Sequence, residues 1–535
     1  MSGVGRASAL LASGTVVSRI LGFAKAIVIA QAIGNVGSSS ADAFAVSTIV
    51  PNSIYAIIGG GLLSAVLVPQ VVRASTAPDG GNSFVNKLVT LGLSGLGIVG
   101  VLATIGAPIL VPLFAQGDFD YSLATAFAYW CLPQIFFLGM YALLGEVLNA
   151  RRAFGPFTWA PVLNNVVGIA TVGTFILVYG ADASGARTVD DWTPGMIALL
   201  AGGATLGIAV QGLSLFLFWR RVGLRFRPDF AWRGVGLGSA GRAAAWTFAM
   251  LVLGQVAGVI ETRVASLATD RGPSVATLGN AWLIFMLPHS VITVSLVTAF
   301  YPRMSEHAML TDPRELKSDL STALRAVALP IVFATAGLAV AAIPFARVFN
   351  AGYEESSQMA AVIIAYVLGL VPFSLLFVVQ RGFYALTDTR TPFVFTIVQV
   401  VLVIAGVLAC TRLPYELIAV GIASVVSLAG TIQLVVAALL LARRIGPGAG
   451  AGVARSLGLD LLAAVPAGLA GYGLLVLVGG TRGDGFAVSG ILPAIVSMVV
   501  LAAVMGIVYL GALLLLRSRD LAVVTAPLLG RFRRR

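Results

Sequence analysis

Residues 487–516 read AVSGILPAIVSMVVLAAVMGIVYLGALLLL, without a single charged side chain. At 1.5 Å per residue a helix of this length runs roughly 45 Å, more than the ~30 Å hydrocarbon core of a bilayer. A helix that is apolar all round needs apolar surroundings on every side, and at this length the bilayer supplies them. Arg482 and Asp484 stand before the run and Arg517 closes it, so its ends are polar. The rest of the chain repeats the pattern. Of 535 residues 58% are apolar and 10% charged, with a mean hydropathy of +0.97; a soluble domain carries about 25% charged residues.

Apolar runs of about 20 residues or more, closed by charge or by Gly/Pro/Asn/Asp clusters, mark candidate spans. They are 8–34, 41–72, 88–115, 122–149, 156–179, 194–219, 241–268, 275–302, 325–348, 356–385, 391–410, 416–442, 456–479 and 487–516. The sequence thus predicts an all-α polytopic membrane protein with fourteen transmembrane helices. The runs are continuous and far longer than the ~10-residue alternating strands of a barrel. The first run passes 25 residues without a cleavage-site pattern, which excludes a secretory signal peptide.

Orientation follows from the basic residues. With the N-terminus inside, 25 of the 34 Lys and Arg fall in inner segments and 5 (Arg187, Arg271, Arg347, Arg412 and Arg482) in outer loops. That bias predicts both termini in the cytoplasm. The net charge of +12 is then mostly a topology device. It lies in short scattered loops and not on one face, which argues against nucleic acid as a partner. The basic tail suits anionic lipid head groups.

Catalytic chemistry finds little support. Cys131 and Cys410 are isolated in apolar spans, and His289 and His307 lack metal-ligand spacing. Gly59-Gly60-Gly61 sits inside a span, where it allows close helix contact and is no nucleotide loop. No metal or cofactor is expected.

Four basic residues remain within spans, Arg19, Lys25, Arg263 and Arg381, with Asp42, Glu146 and Glu261 as the acids at comparable positions. A charge at the bilayer centre costs on the order of 2.5–3.5 kcal/mol, so it faces a partner or a water-filled cavity. Arg19 and Lys25 straddle the middle of the first span; six residues place them about 120° and ~9 Å apart. Such a cationic patch suits an anionic or phosphorylated ligand. The structural reading is a salt bridge to Asp42 or Glu261 that pins helices. Glu261 and Arg263 point about 200° apart and cannot pair along one face. Asp388, at the inner edge of the eleventh span, is a candidate cation-coupling acid, but Asp-Thr before Arg390-Thr391-Pro392 also reads as a helix start. Pro51, Pro133, Pro161, Pro288 and Pro372 interrupt spans, as the broken helices of transporters do.

Several stretches together resemble one family. Ser18-Arg19-Ile20-Leu21-Gly22-Phe23-Ala24-Lys25, Ala41-Asp42-Ala43-Phe44, Val50-Pro51-Asn52 and Leu67-Val68-Pro69 are similar to the opening of the MurJ (MviN) family. So are Leu148–Phe154 with Ala160–Asn165, then Gln211-Gly212-Leu213, Arg225-Phe226-Arg227-Pro228, Arg381–Ala385 and Asp388–Pro392. These motifs spread over about the first 400 residues in family order. The family comprises lipid II flippases of the multidrug/oligosaccharidyl-lipid/polysaccharide exporter superfamily. The resemblance implies two six-helix lobes, 1–235 and 236–445, around a cationic cavity. It implies helices in 446–520 that form a groove for a lipid tail, with 521–535 as a basic cytoplasmic tail. It implies lipid II as substrate, cell-wall synthesis or division proteins as further partners, the cytoplasmic membrane as location, and no enzyme activity. The substrate-binding candidates are Arg19, Lys25, Asp42, Asn52, Glu261, Arg263 and Arg381, of which Arg19 and Asp42 match the family pattern directly.

The charge set departs from the family pattern. The usual Arg-Asp pair is Lys25-Ala26; an arginine is replaced at Tyr55, a glutamate at Gly60 and another arginine at Leu283. With the Ala/Gly/Val-rich composition this suits the actinobacterial type. It keeps open a flippase for another polyprenyl-linked oligosaccharide, a small-molecule exporter, or a transport-inactive cell-wall scaffold. On this reading Glu261 and Arg263 partly replace the missing cavity charges.

Overall fold

The structure is a computed structural model that describes residues 3–59, 71, 73–74, 76–231, 241–310, 313–446, 450, 452–518 and 520. Among these residues every regular element is helical. Among the described residues thirteen helices are long and apolar enough to cross a membrane, and each falls on one of the predicted spans. The remaining predicted span, 41–72, begins as the helix Ser39–Gly59; its residues 60–70, with Leu67-Val68-Pro69, lie outside the described residues, as does the tail 521–535.

The chain divides into two compact units, Met1–Asp270 and Arg271–Arg535. The first holds α1 (Gly3–Ile33), α2 (Ser39–Gly59), α3 (Asn82–Ile105), α4 (Ala107–Phe114), α5 (Tyr121–Cys131), α6 (Gln134–Ala150), α7 (Phe154–Tyr179), α8 (Gly203–Ser214) and α9 (Gly241–Ala265). The second holds α10 (Val275–Pro288), α11 (Val294–His307), α12 (Arg314–Val340), α13 (Ala342–Arg347), α14 (Tyr353–Val367), α15 (Leu370–Ala385), α16 (Arg390–Cys410), α17 (Tyr415–Ile445), α18 (Val453–Leu477) and α19 (Ile491–Leu515).

Several predicted spans are broken where proline or glycine frees the backbone. The run 88–115 is two helices, because α3 ends at Gly106 and α4 starts with Pro108 in its first turn. Pro133 is not interior: α5 ends at Cys131 and Pro133 caps α6. Pro372 sits in the first turn of α15, where a missing N–H costs nothing. Pro288 closes α10 and is followed by a π-helical turn, His289–Thr293, before α11. Pro51 and Pro161 do lie inside α2 and α7.

In the first unit α7 packs on α1 and α8, and α6 on α3 and α8. Small residues set these distances, as expected where the lipid tails are as apolar as the helices. Gly92 of α3 receives Leu143 of α6, and Gly139 of α6 receives Leu96 of α3, so the two helices interlock reciprocally. Asn164 of α7 donates its amide to Gln211 Oε1 of α8 at 2.9 Å, which gives two of the sequence motifs one structural role. Residues 225–229 are strapped along α3. The N–H groups of Arg225, Arg227 and Asp229 donate to Asn82 Oδ1 (3.0 Å), Asn86 Oδ1 (3.2 Å) and Thr90 Oγ1 (2.9 Å).

In the second unit α18 lies against α12 and α19 around Leu329, Ala463, Ala467, Met505, Tyr509 and Leu513. The Tyr509 hydroxyl donates to the Leu329 carbonyl at 2.9 Å. Large apolar side chains also point outward: Leu177 is 87% exposed and Leu515 86%. Contiguous exposure of this kind marks a lipid-facing surface.

Candidate functional site

α1 carries the two cations. Its face toward α7 is fixed by Asn165, whose amide donates to the Ser18 carbonyl at 2.9 Å. Gly22 faces Asn165, and Gly168 faces Lys25 one turn further on. The Lys25 stem lies so close to Gly168 that a Cβ there would stand 2.6 Å from Lys25 Cδ. The bare glycine is therefore the floor on which Lys25 runs. Arg19 is exposed and Lys25 half-buried. Among the described residues neither makes an ion pair or a side-chain hydrogen bond, so the expected bridge to Asp42 or Glu261 is not formed.

Asp42 and Asn52 make hydrogen bonds within the fold. Asp42 is buried in the first turn of α2 and accepts a 2.9 Å hydrogen bond from the Thr269 hydroxyl, just beyond α9. It therefore ties the start of α2 to the end of α9. Asn52 is exposed and turns its amide back onto the Thr48 carbonyl at 2.7 Å, which serves the helix beside Pro51.

Arg263 is occupied. Its guanidinium donates to the carbonyls of Pro112 (2.6 Å) and Leu113 (3.3 Å), and to Gln116 Oε1 at 3.4 Å. Those carbonyls belong to the last turn of α4 and have no intrahelical partner. The neighbouring Ser266 accepts from the Gln116 N–H at 2.8 Å. Arg263 thus caps α4 and docks α9 on it, with a cation at the negative end of the helix dipole. Glu261 is half-buried and engaged in an interaction of its own.

In the second unit Arg381 sits in an aromatic cage. Its guanidinium carbon lies 4.9 Å from the Phe377 ring centre, 5.3 Å from Tyr301 and 5.9 Å from Tyr384. The faces of these rings carry negative quadrupole potential and hold the cation without neutralising it. Asp388 is a helix cap. It accepts from the N–H groups of Arg390 (3.1 Å) and Thr391 (3.0 Å) and from the Thr391 hydroxyl (2.7 Å) at the start of α16. Partial burial pushes its carboxyl up, but these bonds outweigh that and hold it below the usual carboxylate range.

The surroundings of Glu146 and the burial of Asp460 are not read from the sequence. Glu146 faces Tyr55 and Tyr141; Tyr55 stands where the resemblance expects an arginine, and the spacing between α2 and α6 carries no local signal. Asp460 is fully buried in α18, although a lone acid in the run 456–479 was there to be read.

No cluster of metal ligands is present among the described residues. What the arrangement offers an incoming group is positive charge at the middle of α1.

Comparison with known proteins bears on the family and the fold. The sequence profile of the family described as lipid II flippase MurJ matches residues 29–518. The probable lipid II flippase MurJ of Haemophilus influenzae is 27% identical over 441 residues, 77% of this chain and 82% of that protein. The lipid II flippase MurJ of Burkholderia cenocepacia is 27% identical over 410 residues, 75% of each chain. Among solved structures, lipid II flippase MurJ in an inward closed conformation superposes with a TM-score of 0.71 at 19% identity, covering 94% of this chain and 99% of that one. An inward-facing MATE transporter of the MOP superfamily follows the fold with a TM-score of 0.56 at 18% identity, covering 76% and 93%.

Proposed function

Since the chain belongs to the lipid II flippase MurJ family, we propose that it carries lipid II from the inner to the outer leaflet of the cytoplasmic membrane. It is a transporter and not an enzyme: moving the lipid across breaks no covalent bond. The observation that carries the site is the pair Arg19 and Lys25, mid-span cations without an anionic partner among the described residues. A pyrophosphate brings the missing negative charge, and charge-assisted bonds to phosphate are the strong kind. Arg381 in its aromatic cage is the third substrate cation in this reading. Arg263, Asp42 and Asn52 position helices around the path, Glu261 remains a candidate polar contact, and Asp388 holds a loop.

The reading extends to topology. Fourteen spans are supported by the apolar runs, and both termini inside by the distribution of basic residues. The functional halves are 1–235 and 236–445; α9, first helix of the second half, packs on α2 and α4 of the first. Residues 446–520 supply the apolar groove for the polyprenyl tail, and 521–535 rest on anionic lipid. Transport proceeds by alternating access, as rocking of such halves about a central site provides.

Rapid depletion of the protein in cells tests the function. Lipid II should accumulate with its head group inaccessible from outside; the intact chain should restore exposure, and Arg19→Gln should not. Normal outer-leaflet exposure after depletion would refute the reading.

A further inference from the structure

At one end of α18 the second unit buries more negative than positive charge. Asp460 is fully buried and Asp520 is 6% exposed. Ser456, one helical turn before Asp460 and so on the same face, donates its hydroxyl to Asp520 Oδ2. Arg325 of α12 reaches Asp520 Oδ1 at 3.3 Å. Asp460 faces Asp520 as well, yet neither of its carboxylate oxygens has a hydrogen-bond partner among the described residues, and the buried Ser518 hydroxyl has none either. From α19, Tyr509 faces Asp460, but its proton goes to the Leu329 carbonyl. Arg455 and Arg517 are exposed. Among the described residues the adjoining cluster is apolar, with Leu329, Ala463 and Leu513.

Among the described residues, two carboxylates facing one guanidinium leave a net charge of minus one in an apolar interior. A buried carboxylate with no hydrogen bond is not left ionised alone; it takes up a counter-charge. We propose that this pocket binds one monovalent cation, a proton or a sodium ion, between Asp460 and Asp520. Ser456 and Ser518 supply further oxygens, the ligand type a hard cation requires. A proton would instead be shared by the carboxylate pair, as like charges held close enforce.

The full chain in detergent, melted at fixed ionic strength with sodium exchanged for choline and over a pH series, tests this. One bound ion makes the folded-to-unfolded ratio change up to tenfold per tenfold change in its concentration. Stabilisation by sodium identifies that ion. Stability that falls as pH rises, with no sodium effect, identifies the proton. Asp460→Asn leaves one carboxylate opposite Arg325 and should abolish the response; Asp520→Asn should do the same and serves where the first variant does not fold. Dicyclohexylcarbodiimide labelling of Asp460 in the unaltered protein, read by mass spectrometry, should be suppressed by sodium in the one case and by raised pH in the other. Wild-type stability indifferent to both ions, a response that survives either variant, or labelling that follows neither ion overturns the proposal.

Discussion

Gly168→Ala is the sharpest test of the α1 site, because it touches Lys25 without altering any charge. The new Cβ would stand 2.6 Å from Lys25 Cδ, and contact becomes ordinary only at 3.4 Å, so the stem must retreat by about 0.8 Å. A lysine stem is flexible and can absorb this at about 0.5–1.5 kcal/mol of rotamer strain, which leaves the fold intact. The ammonium is displaced, however, and a charged hydrogen bond that is lost is worth about 1.5–3 kcal/mol. That corresponds to a roughly 10- to 150-fold weaker affinity for lipid II. Lipid II binding to the purified chain should therefore weaken in Gly168→Ala while the melting temperature moves little. Lys25→Ala should weaken it at least as much. In the Lys25→Ala background the Gly168→Ala change should be silent, because its effect travels through Lys25. Equal losses from Gly168→Ala with and without Lys25, or unchanged affinity in the single variant, would refute the reasoning.

Arg263→Gln should lower stability by about 1–3 kcal/mol, since the α4 carbonyls and the Gln116 amide lose their donor; a melt shows it, and a loss of lipid II affinity at unchanged melting temperature would restore Arg263 as a direct ligand. Asp388 is held below its ordinary value in the folded chain, so its contribution is present above the unfolded value of about 3.9 and is lost as pH falls through the lower, folded value. Asp388→Ala should remove about 1 kcal/mol of that capping at neutral pH and flatten the acid limb of the stability profile.

The spans were readable because hydrophobic runs of bilayer length have few alternatives, as α16 and α19 illustrate. Their interruptions were not. Hydropathy averaged over a window passes over two residues, so the run 88–115 stays continuous although Gly106 and Pro108 mark the break between α3 and α4. In-span charges were conspicuous by cost, but their partners divided by chemistry. Phe377 and Tyr384 stand four before and three after Arg381, helical neighbours visible in sequence, whereas Tyr301 arrives from α11. Arg263 could not be understood without coordinates, because the carbonyls it binds exist at every residue. Asp460 lies two turns inside its helix, away from the bilayer centre where a charge is most conspicuous by its cost.

The strap along α3 is a match of two rulers. Alternate residues of an extended chain advance about 6.6 Å, and one step of four along a helix advances about 6 Å. The mismatch of ~0.6 Å accumulates with each rung, so the ladder limits its own length, and three rungs are what the chain uses. Only the donating positions need an N–H, which is why Pro228 fits between two of them. Each rung is gripped through the strap's backbone while Phe226 packs against Phe216, so the two arginine side chains are not needed for the hold. Arg225 and Arg227 line a cavity of about 780 Å³ with Trp219 and Arg220, free to vary in chemistry without loosening the clamp that holds them.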